Sequence, residues 1–301
     1  MTNTDVVYEG LSNESEELSY ESTLRELITD KGVLRYHEAG EGPPLVLLHG
    51  SGPGVSGWRN FRGNLGFFAK HFRTLALEFP GFGVSDATGE HPMLAAPAAV
   101  IRFLDGLGIE RADIIGNSLG GQVASRIAMD HPERVRRLVT IGGVGRNLYS
   151  PLPGEGINLL VEFTEDPTRE KLVKWLRAMV FDPSVVTDEL IGERFSVATE
   201  PATLESARRM YGRHTITQIL ASVESADSPD WARLHKIAAS TLLTWGRDDR
   251  VTPLDSSILP MRTIPNAELH VFPNCGHWVM IEAKQAWESA VLAFLTRPDA
   301  A

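Results

Sequence analysis

The segment Gly116-Asn117-Ser118-Leu119-Gly120 constrains this 301-residue chain more than any other feature. It has the pattern G-x-S-x-G, and it lies between a short apolar run, 112–115, and a helix-like run, 121–129. The chain must turn sharply from strand to helix here, which holds the serine in a strained, exposed position at the positive end of the helix. The pattern therefore predicts a nucleophile at Ser118. The alternative role for such a serine is a plain helix N-cap.

Two further segments contain the partners that a serine nucleophile requires. Residues 240–245 have the composition of a buried strand and lead into Asp248 and Asp249. Residues 267–272 have the composition of a second strand and lead into His277. Serine, acid and histidine thus follow one another in the order typical of α/β hydrolases, with the acid and the base each just after a strand. The sequence predicts a Ser-Asp-His triad, and position alone does not separate Asp248 from Asp249.

The alternation of apolar segments predicts an α/β fold. Continuous apolar strands are expected at 44–48, 73–79 and 137–141, with a strand pair at 23–29 and 32–38. Helices are expected at 95–107 and 283–295. Strands that alternate with helices indicate a mostly parallel central sheet flanked by helices on both faces.

Helical periodicity replaces this alternation in the middle of the chain. No buried strand is expected between 145 and 234, and residues 169–180 and 184–194 have the spacing of amphipathic helices. We therefore expect a helical cap at 145–234, inserted into an α/β-hydrolase core that comprises 21–144 and 235–301.

The net charge of −10 comes mainly from the start of the chain. Residues 1–30 contain eight acidic residues and one arginine, so the remaining 271 residues carry only −3. We expect residues 1–20 to form a disordered acidic tail, and we expect neither nucleic acid nor a membrane as partner. A single cysteine, a polar start without a signal peptide and the lack of a membrane-length apolar stretch predict a cytoplasmic protein.

A glycine-rich loop, 49–54, follows the strand predicted at 44–48. In this place a backbone N–H faces the oxyanion of the reaction, together with the N–H of Leu119. The loop lacks the lysine of a phosphate-binding loop, and no dinucleotide-binding pattern follows it. His49 precedes the nucleophile, so we interpret it as shaping this loop rather than as the base. No metal-binding pattern is present, and no cofactor is expected.

These motifs resemble those of the meta-cleavage product hydrolases, which are α/β-hydrolase enzymes that cut carbon–carbon bonds in aromatic and steroid ring degradation. The segments that carry the resemblance are 49–54, 57–61, 116–121, 245–255 and 269–278, with 151–156 and 188–194 in the expected cap. The resemblance extends from about Glu21 to Leu295. One departure is Glu78, where related hydrolases usually carry aspartate at a structural position.

The resemblance implies a role for individual residues. It makes Ser118, Asp249 and His277 the catalytic residues, and it makes the backbone N–H groups of Ser51 and Leu119 the oxyanion donors. The implied substrate-binding residues are Gly52, Asn60, Asn117, Arg194 and Trp278. A small-molecule substrate and a homo-oligomer, a dimer or larger, are also implied.

The implied substrate is a vinylogous 1,5-diketone of the 2-hydroxy-6-oxo-dienoate type. His277 would relay a proton to carbon to give the keto form, and water would then cleave the carbon–carbon bond to a carboxylic acid and a 2-hydroxydienoate. Ser118 either forms an acyl-enzyme or acts as a base toward water, and the sequence leaves both routes open. A carboxylesterase or lactonase is the alternative, followed by a haloperoxidase-like enzyme and a non-catalytic receptor. An arginine in the cap and an asparagine beside the nucleophile favour the anionic substrate.

Overall fold

The computed structural model describes residues 18–225 and 230–298. The predicted acidic tail, 1–20, therefore lies outside the described residues except for 18–20. Of these, Ser19 caps a short helix, α1, that spans Tyr20–Thr23. No helix in the described part of the chain is both long and apolar enough to cross a membrane.

Eight strands form one sheet. They are β1 (Leu24–Thr29), β2 (Gly32–Ala39), β3 (Pro44–Leu48), β4 (Arg73–Leu77), β5 (Ala112–Asn117), β6 (Val135–Ile141), β7 (Ser240–Gly246) and β8 (Ala267–Phe272). The strand order is β1-β2-β4-β3-β5-β6-β7-β8. β2 pairs with both β1 and β4 in antiparallel fashion, and all other pairs are parallel. The predicted mostly parallel sheet is confirmed.

Helices cover both faces of the sheet and fill the interval between β6 and β7. The core helices are α2 (Gly57–Phe68), α3 (Pro92–Gly106) and α4 (Leu119–Asp130). Between β6 and β7 lie α5 (Glu155–Glu165), α6 (Arg169–Ala178), α7 (Asp188–Ala198), α8 (Pro201–Tyr211), α9 (Arg213–Ser225) and α10 (Asp230–Arg233). After them come α11 (Ile258–Thr263), α12 (Val279–Glu282) and α13 (Lys284–Leu295).

The helix predicted at 184–194 is wrong at its start. Pro183–Val185 forms a separate 3₁₀ turn, and α7 begins only at Asp188. The side chain of Thr187 accepts a hydrogen bond from the backbone N–H of Leu190 at 3.2 Å, which is a regular N-cap. This N-cap sets the start of α7 four residues later than the apolar periodicity indicates.

The central strand β3 contributes to two hydrophobic clusters, one on each face of the sheet. Leu45 and Leu47 belong to the cluster that contains α2 and α13, and Val46 and Leu48 to the cluster that contains α3 and α4. All four are fully buried. Successive side chains of a strand point to opposite faces, so a strand covered on both sides must be apolar throughout.

Asp255, just after β7, holds the chain segment that leads from β6 to α5. Its carboxylate accepts hydrogen bonds from the backbone N–H groups of residues 148, 149 and 150 at 2.6, 2.7 and 3.1 Å, and from the Ser150 hydroxyl at 2.6 Å. Burial acts to raise the pKa of Asp255, but the hydrogen bonds from Ser150 and its neighbours outweigh it and lower the pKa to about 2. The helices that follow therefore start from a fixed point on the core.

Glu78, just after β4, is buried against the start of α2. Its two carboxylate oxygens accept hydrogen bonds from the backbone N–H groups of Gly57 and Trp58 at 2.9 and 3.1 Å. Burial raises the pKa of Glu78, while these two N–H groups act to lower it. The first N–H groups of a helix have no partner within the helix. Glu78 supplies that partner, which is a structural role.

We expect Glu78→Ala to lower the free energy of unfolding by about 2–6 kcal/mol, because one buried and one partly buried N–H group lose their acceptor at about 1–3 kcal/mol each. Urea unfolding followed by circular dichroism measures this. Glu90→Ala, at an exposed glutamate, is the matched control and should change stability by less than about 0.5 kcal/mol. A Glu78 variant as stable as the control would contradict the role given to this carboxylate.

Candidate active site

Ser118 occupies the sharp turn between β5 and α4. Its φ is 52° and its ψ is −112°, a conformation that residues other than glycine rarely adopt. The turn is held by β6, because Ile141 O accepts the backbone N–H of Ser118 at 2.9 Å. Ser118 stands at the N-cap position of α4, yet its side chain makes no capping hydrogen bond. The hydroxyl is thus left available on the cavity side.

The start of α4 packs against β3 with no room for a side chain. A Cβ atom at Gly120 would overlap the carbonyl oxygen of Leu48, the last residue of β3. The second glycine of the motif is therefore required for this close approach. The approach sets the N-terminus of α4, including the N–H of Leu119, beside the loop that follows β3.

His277 and Asp249 meet where the loops after β7 and β8 come together. Nδ1 of His277 lies 2.7 Å from Oδ2 of Asp249. A carboxylate only accepts, so Nδ1 is the nitrogen that donates in this contact, and Nε2 is the ring nitrogen left for a second partner. Oδ1 of Asp249 also accepts the backbone N–H groups of Val251 and Thr252 at 2.8 and 3.0 Å. The carboxylate is thus fixed by the loop that carries it.

The neighbouring acid, Asp248, does not reach the histidine. Its carboxylate lies 3.1 Å from a guanidinium nitrogen of Arg247 instead. Consecutive residues of this loop point in different directions, which explains why the residue pattern alone left the two acids equivalent.

Cys275, two residues before His277, is buried, and burial raises the pKa of its thiol to about 12, so it stays protonated.

The loop after β3 presents Ser51 to the cavity, and Asn60 of α2 supports it. Asn60 Oδ1 accepts the backbone N–H of Gly50 at 3.2 Å, while the N–H of Ser51 has no acceptor within the described chain.

His49, at the start of this loop, is fully buried, and burial lowers its pKa to about 4. Its Nε2 accepts the backbone N–H of Phe79 at 3.0 Å and its Nδ1 contacts Gly50 O at 2.5 Å. His49 therefore shapes the loop as a neutral residue.

A compartment of about 30 Å³ surrounds Ser118 and His277, and its wall contains apolar side chains such as Leu160 and Met179 beside polar ones. We call it the polar compartment because the unpaired polar groups described below belong to its wall. Its wall includes Gly50, Ser51, Gly52, Asn60, Asn117, Trp175, Arg194 and Trp278. All the residues that the resemblance implied for substrate binding thus line one cavity. Asn117 is partly committed, because its Nδ2 donates to Ile141 O at 3.1 Å.

Arg194 is a buried cation that has no anionic partner within the described part of the chain. The residue is 5% exposed, and its Nε and Nη1 atoms make no hydrogen bond to any described residue. The adjacent Glu193 instead pairs with Arg59 at 2.7 Å and with Arg62 at 3.7 Å. Burial lowers the pKa of Arg194 to about 10, which leaves it charged at neutral pH. Its guanidinium carbon lies 5.8 Å from the centroid of the Trp278 ring, a cation–π distance.

A second, mainly apolar compartment opens on the other side of Ser118. Its volume is about 280 Å³. It is lined mostly by apolar side chains from the elements between β6 and β7, among them Leu152, Ile157, Met210, Ile216, Leu220 and Trp231. Five residues line both compartments: Ser51, Ser118, Ile157, Tyr211 and Val251. They form a neck, and the nucleophile candidate lies in it.

Sequence reasoning missed several residues that line the polar compartment, among them two aromatic residues with a polar group, Trp175 and Tyr211. The Tyr211 hydroxyl is hydrogen-bonded to the Ser51 side chain. Trp175 has an indole N–H without a partner among the described residues. Both sit on amphipathic helices, where an aromatic residue on the apolar face is indistinguishable from core. No signal in the sequence separates them from ordinary packing residues.

The described residues contain no cluster of histidine, cysteine, aspartate and glutamate side chains that could hold a metal ion. The arrangement can instead support acyl-transfer or hydrolytic chemistry. It combines a hydroxyl on a strained turn, an imidazole oriented by a carboxylate, and unpaired donors facing the same cavity.

Comparisons with known proteins agree with this geometry. Residues 43–284 match the family model of the alpha/beta hydrolase fold. The chain is 37% identical over 290 residues to the 2-hydroxy-6-oxo-6-phenylhexa-2,4-dienoate hydrolase of Burkholderia cepacia, covering 91% of this chain and 97% of that protein. It is 41% identical over 270 residues to the 2-hydroxy-6-oxononadienedioate/2-hydroxy-6-oxononatrienedioate hydrolase of Paraburkholderia phymatum, covering 87% and 90%.

A solved structure gives the same result. The meta-cleavage product hydrolase from Pseudomonas fluorescens superposes with a TM-score of 0.81 at 33% identity, over 91% of this chain and 97% of that one. The matches cover nearly the whole of each partner, so they concern the complete fold and not an isolated motif. The chain therefore belongs to the α/β-hydrolase family and, within it, to the meta-cleavage product hydrolases.

Proposed function

We propose that this protein hydrolyses a carbon–carbon bond in a ring-fission product of the 2-hydroxy-6-oxo-dienoate type. The observation that carries the proposal is the unpaired Arg194, buried in the same cavity as Ser118 and His277. A buried charge without a partner is strongly unfavourable unless a ligand supplies the counter-charge. An acidic head group of the substrate meets this requirement, whereas a neutral ester does not.

The two compartments match the two halves of such a substrate. The polar compartment, about 30 Å³ in volume, has Asn60 Nδ2 and Arg194 Nε and Nη1 in its wall as buried donors without a partner among the described residues. In the proposal a carboxylate and a 2-oxygen become their acceptors. The apolar compartment, about 280 Å³ in volume, accepts the tail. The bond to be cleaved joins the two halves and so lies in the neck, beside Ser118. When the head and the tail are both bound, the reacting carbonyl between them is held in one orientation.

In this proposal His277 moves the protons and Ser118 acts on the carbonyl. His277, with Nδ1 held by Asp249, relays a proton to carbon and converts the dienol to the keto form. It then activates Ser118 or water for attack on the ketone. The backbone N–H groups of Ser51 and Leu119 stabilise the oxyanion that develops. The electron pair of the broken bond leaves on the dienoate fragment, which Arg194 keeps in place.

We further propose that residues 145–234 act as a cap over a core formed by 21–144 and 235–301. The proposal is supported by Leu160, Phe163 and Leu172 of α5 and α6, which belong to the same hydrophobic cluster as α2 and α13 of the core. Family likeness supports a homo-oligomer. The single cysteine suits a cytoplasmic location, where disulfides are rare.

Ser118→Ala and His277→Ala should each lower kcat on a dienoate diketone by at least about 10³-fold, because each is needed for the other to act. The double variant should be little worse than either single variant. The assay follows loss of the yellow dienolate absorbance. A Ser118→Ala enzyme that keeps more than about a tenth of the wild-type kcat would exclude a triad role for this serine.

Asp249→Asn should lower kcat by about 10³-fold or more, because an amide favours the wrong tautomer of His277. Asp248→Asn is the matched control, since it changes the adjacent residue in the same way. It should have less than about a tenfold effect, the change that corresponds to roughly 1.4 kcal/mol. Similar losses of kcat in the two variants would contradict a specific role for Asp249 in orienting His277.

Arg194→Met should lower kcat/KM on the dienoate by about 10-fold to 150-fold, the value of a hydrogen bond to a charged group. Hydrolysis of p-nitrophenyl acetate, which has no head carboxylate, should change little. The free energy of unfolding should not fall, because the variant removes an unpaired buried charge. Arg62→Ala, at a half-exposed arginine near Glu193, is the control and should affect neither substrate.

The same assays separate the proposal from its main rival. Wild-type enzyme that hydrolyses the ester well and leaves every dienoate intact would make the protein an esterase. Equal losses on both substrates in the Arg194 variant, together with lower stability, would mean that the arginine holds α7 in place and does not bind substrate.

A further inference from the structure

We infer that the indole N–H of Trp175 is a substrate-binding donor, which contacts an oxygen of the 2-hydroxydienoate head. The inference rests on the proposed function, because it takes the dienoate as ligand. It adds to Arg194 and Asn60 a residue that the sequence motifs do not contain.

The first observation is that this N–H is buried and unpaired. Trp175, on α6, is 2% exposed, and its Nε1 makes no hydrogen bond to any described residue. Two other buried tryptophans of the chain are satisfied. Trp245 Nε1 donates to Thr252 O at 2.7 Å, and Trp287 Nε1 to the Thr244 hydroxyl at 3.2 Å. A buried tryptophan N–H usually finds a partner, so the absence of one at Trp175 requires a reason.

The second observation is where the ring lies. Trp175 lines the polar compartment together with Ser118 and His277. The edge of its ring that carries Cζ2 and Cη2 packs on the backbone of Gly52, so closely that a Cβ atom at Gly52 would stand only 2.6 Å from Cζ2. The nearest ring atom to that Cβ position is Cη2, at 2.3 Å. Nε1 is joined to Cζ2 through Cε2, so the N–H lies next to this contact, in a residue that lines the polar compartment. Trp231 Nε1 also has no partner among residues 18–225 and 230–298, but Trp231 lines the apolar compartment.

The third observation is that the unpaired groups in the polar compartment agree in kind. Nε1 of Trp175, Nδ2 of Asn60, and Nε and Nη1 of Arg194 are all donors. An indole N–H can only donate, so no rotation of the side chain satisfies it without an acceptor. A ligand rich in acceptor oxygens, with a negative charge, satisfies all of these groups together. The head of a 2-hydroxydienoate has three such oxygens on adjacent carbons.

The test replaces Trp175 by phenylalanine, which keeps an aromatic ring on Gly52 and removes only the N–H. Trp58→Phe is the matched control. The Trp58 ring packs against the His37 ring with 4.6 Å between the ring centroids, and Trp58 lines neither compartment. Each enzyme is assayed on 2-hydroxy-6-oxo-6-phenylhexa-2,4-dienoate and on p-nitrophenyl acetate, and urea unfolding is recorded in parallel. We expect Trp175→Phe to lower kcat/KM on the dienoate about tenfold, mainly through KM, the effect of one lost hydrogen bond. Ester hydrolysis and the unfolding midpoint should stay as in wild type.

Three outcomes would overturn the inference. If Trp175→Phe cleaves the dienoate as well as the control does, the N–H does not bind substrate, and the proposed function stands on the wild-type activity. If the variant loses activity equally on both substrates, the Trp175 ring supports the loop of Ser51 and Gly52 and its N–H does not bind the head group. If wild-type enzyme does not cleave the dienoate at all, the proposed function fails, and this assignment fails with it.

Discussion

The strained turn at Ser118 is the constraint on which the rest of the site depends. A non-glycine residue with φ near 52° is unfavourable by about 1–3 kcal/mol, and it persists only where the surroundings enforce it. Two parallel neighbours do so here. β6 accepts the backbone N–H of Ser118 through Ile141 O, and β3 contacts Gly120 without space for a side chain. The sheet therefore fixes Ser118, and the loops after β3, β7 and β8 are arranged around it at the carboxyl ends of the parallel strands.

Electrostatics then distinguishes the two sides of this turn. On one side, three buried residues have donor groups without an acceptor in the described chain: Trp175, Asn60 and the cation Arg194. On the other side the wall is mainly apolar. Unpaired buried polar groups lower the stability of the free protein, and an anionic ligand that pairs with them recovers that free energy on binding. Such a site favours a substrate with a charged head and an apolar tail over a compact neutral substrate. Only the first kind of substrate pairs with the donors on one side and packs against the apolar wall on the other.

Much of the fold was predictable because periodicity depends on local burial alone. The runs at 44–48 and 267–272 correspond to β3 and β8 residue for residue, and the turn after β1 lies where the sequence predicted it. The helix predicted at 184–194 began too early, because the capping hydrogen bond of Thr187 outweighs the apolar spacing. The division into cap and core and the roles of the site residues remain predictions that the experiments above address.

The sequence by itself determined the α/β architecture, the turn at Ser118 and the order of serine, acid and histidine, because strand burial and turn chemistry are encoded by residues near one another. The family resemblance implied Asp249, but the residue pattern left Asp248 and Asp249 equivalent. The tertiary structure places Asp249 against His277, because one loop points the two acids in different directions. It also decided which polar groups are left without partners. Whether Arg194 and Trp175 are paired depends on the residues around them, some of them more than a hundred positions away in the chain, and no local pattern records that.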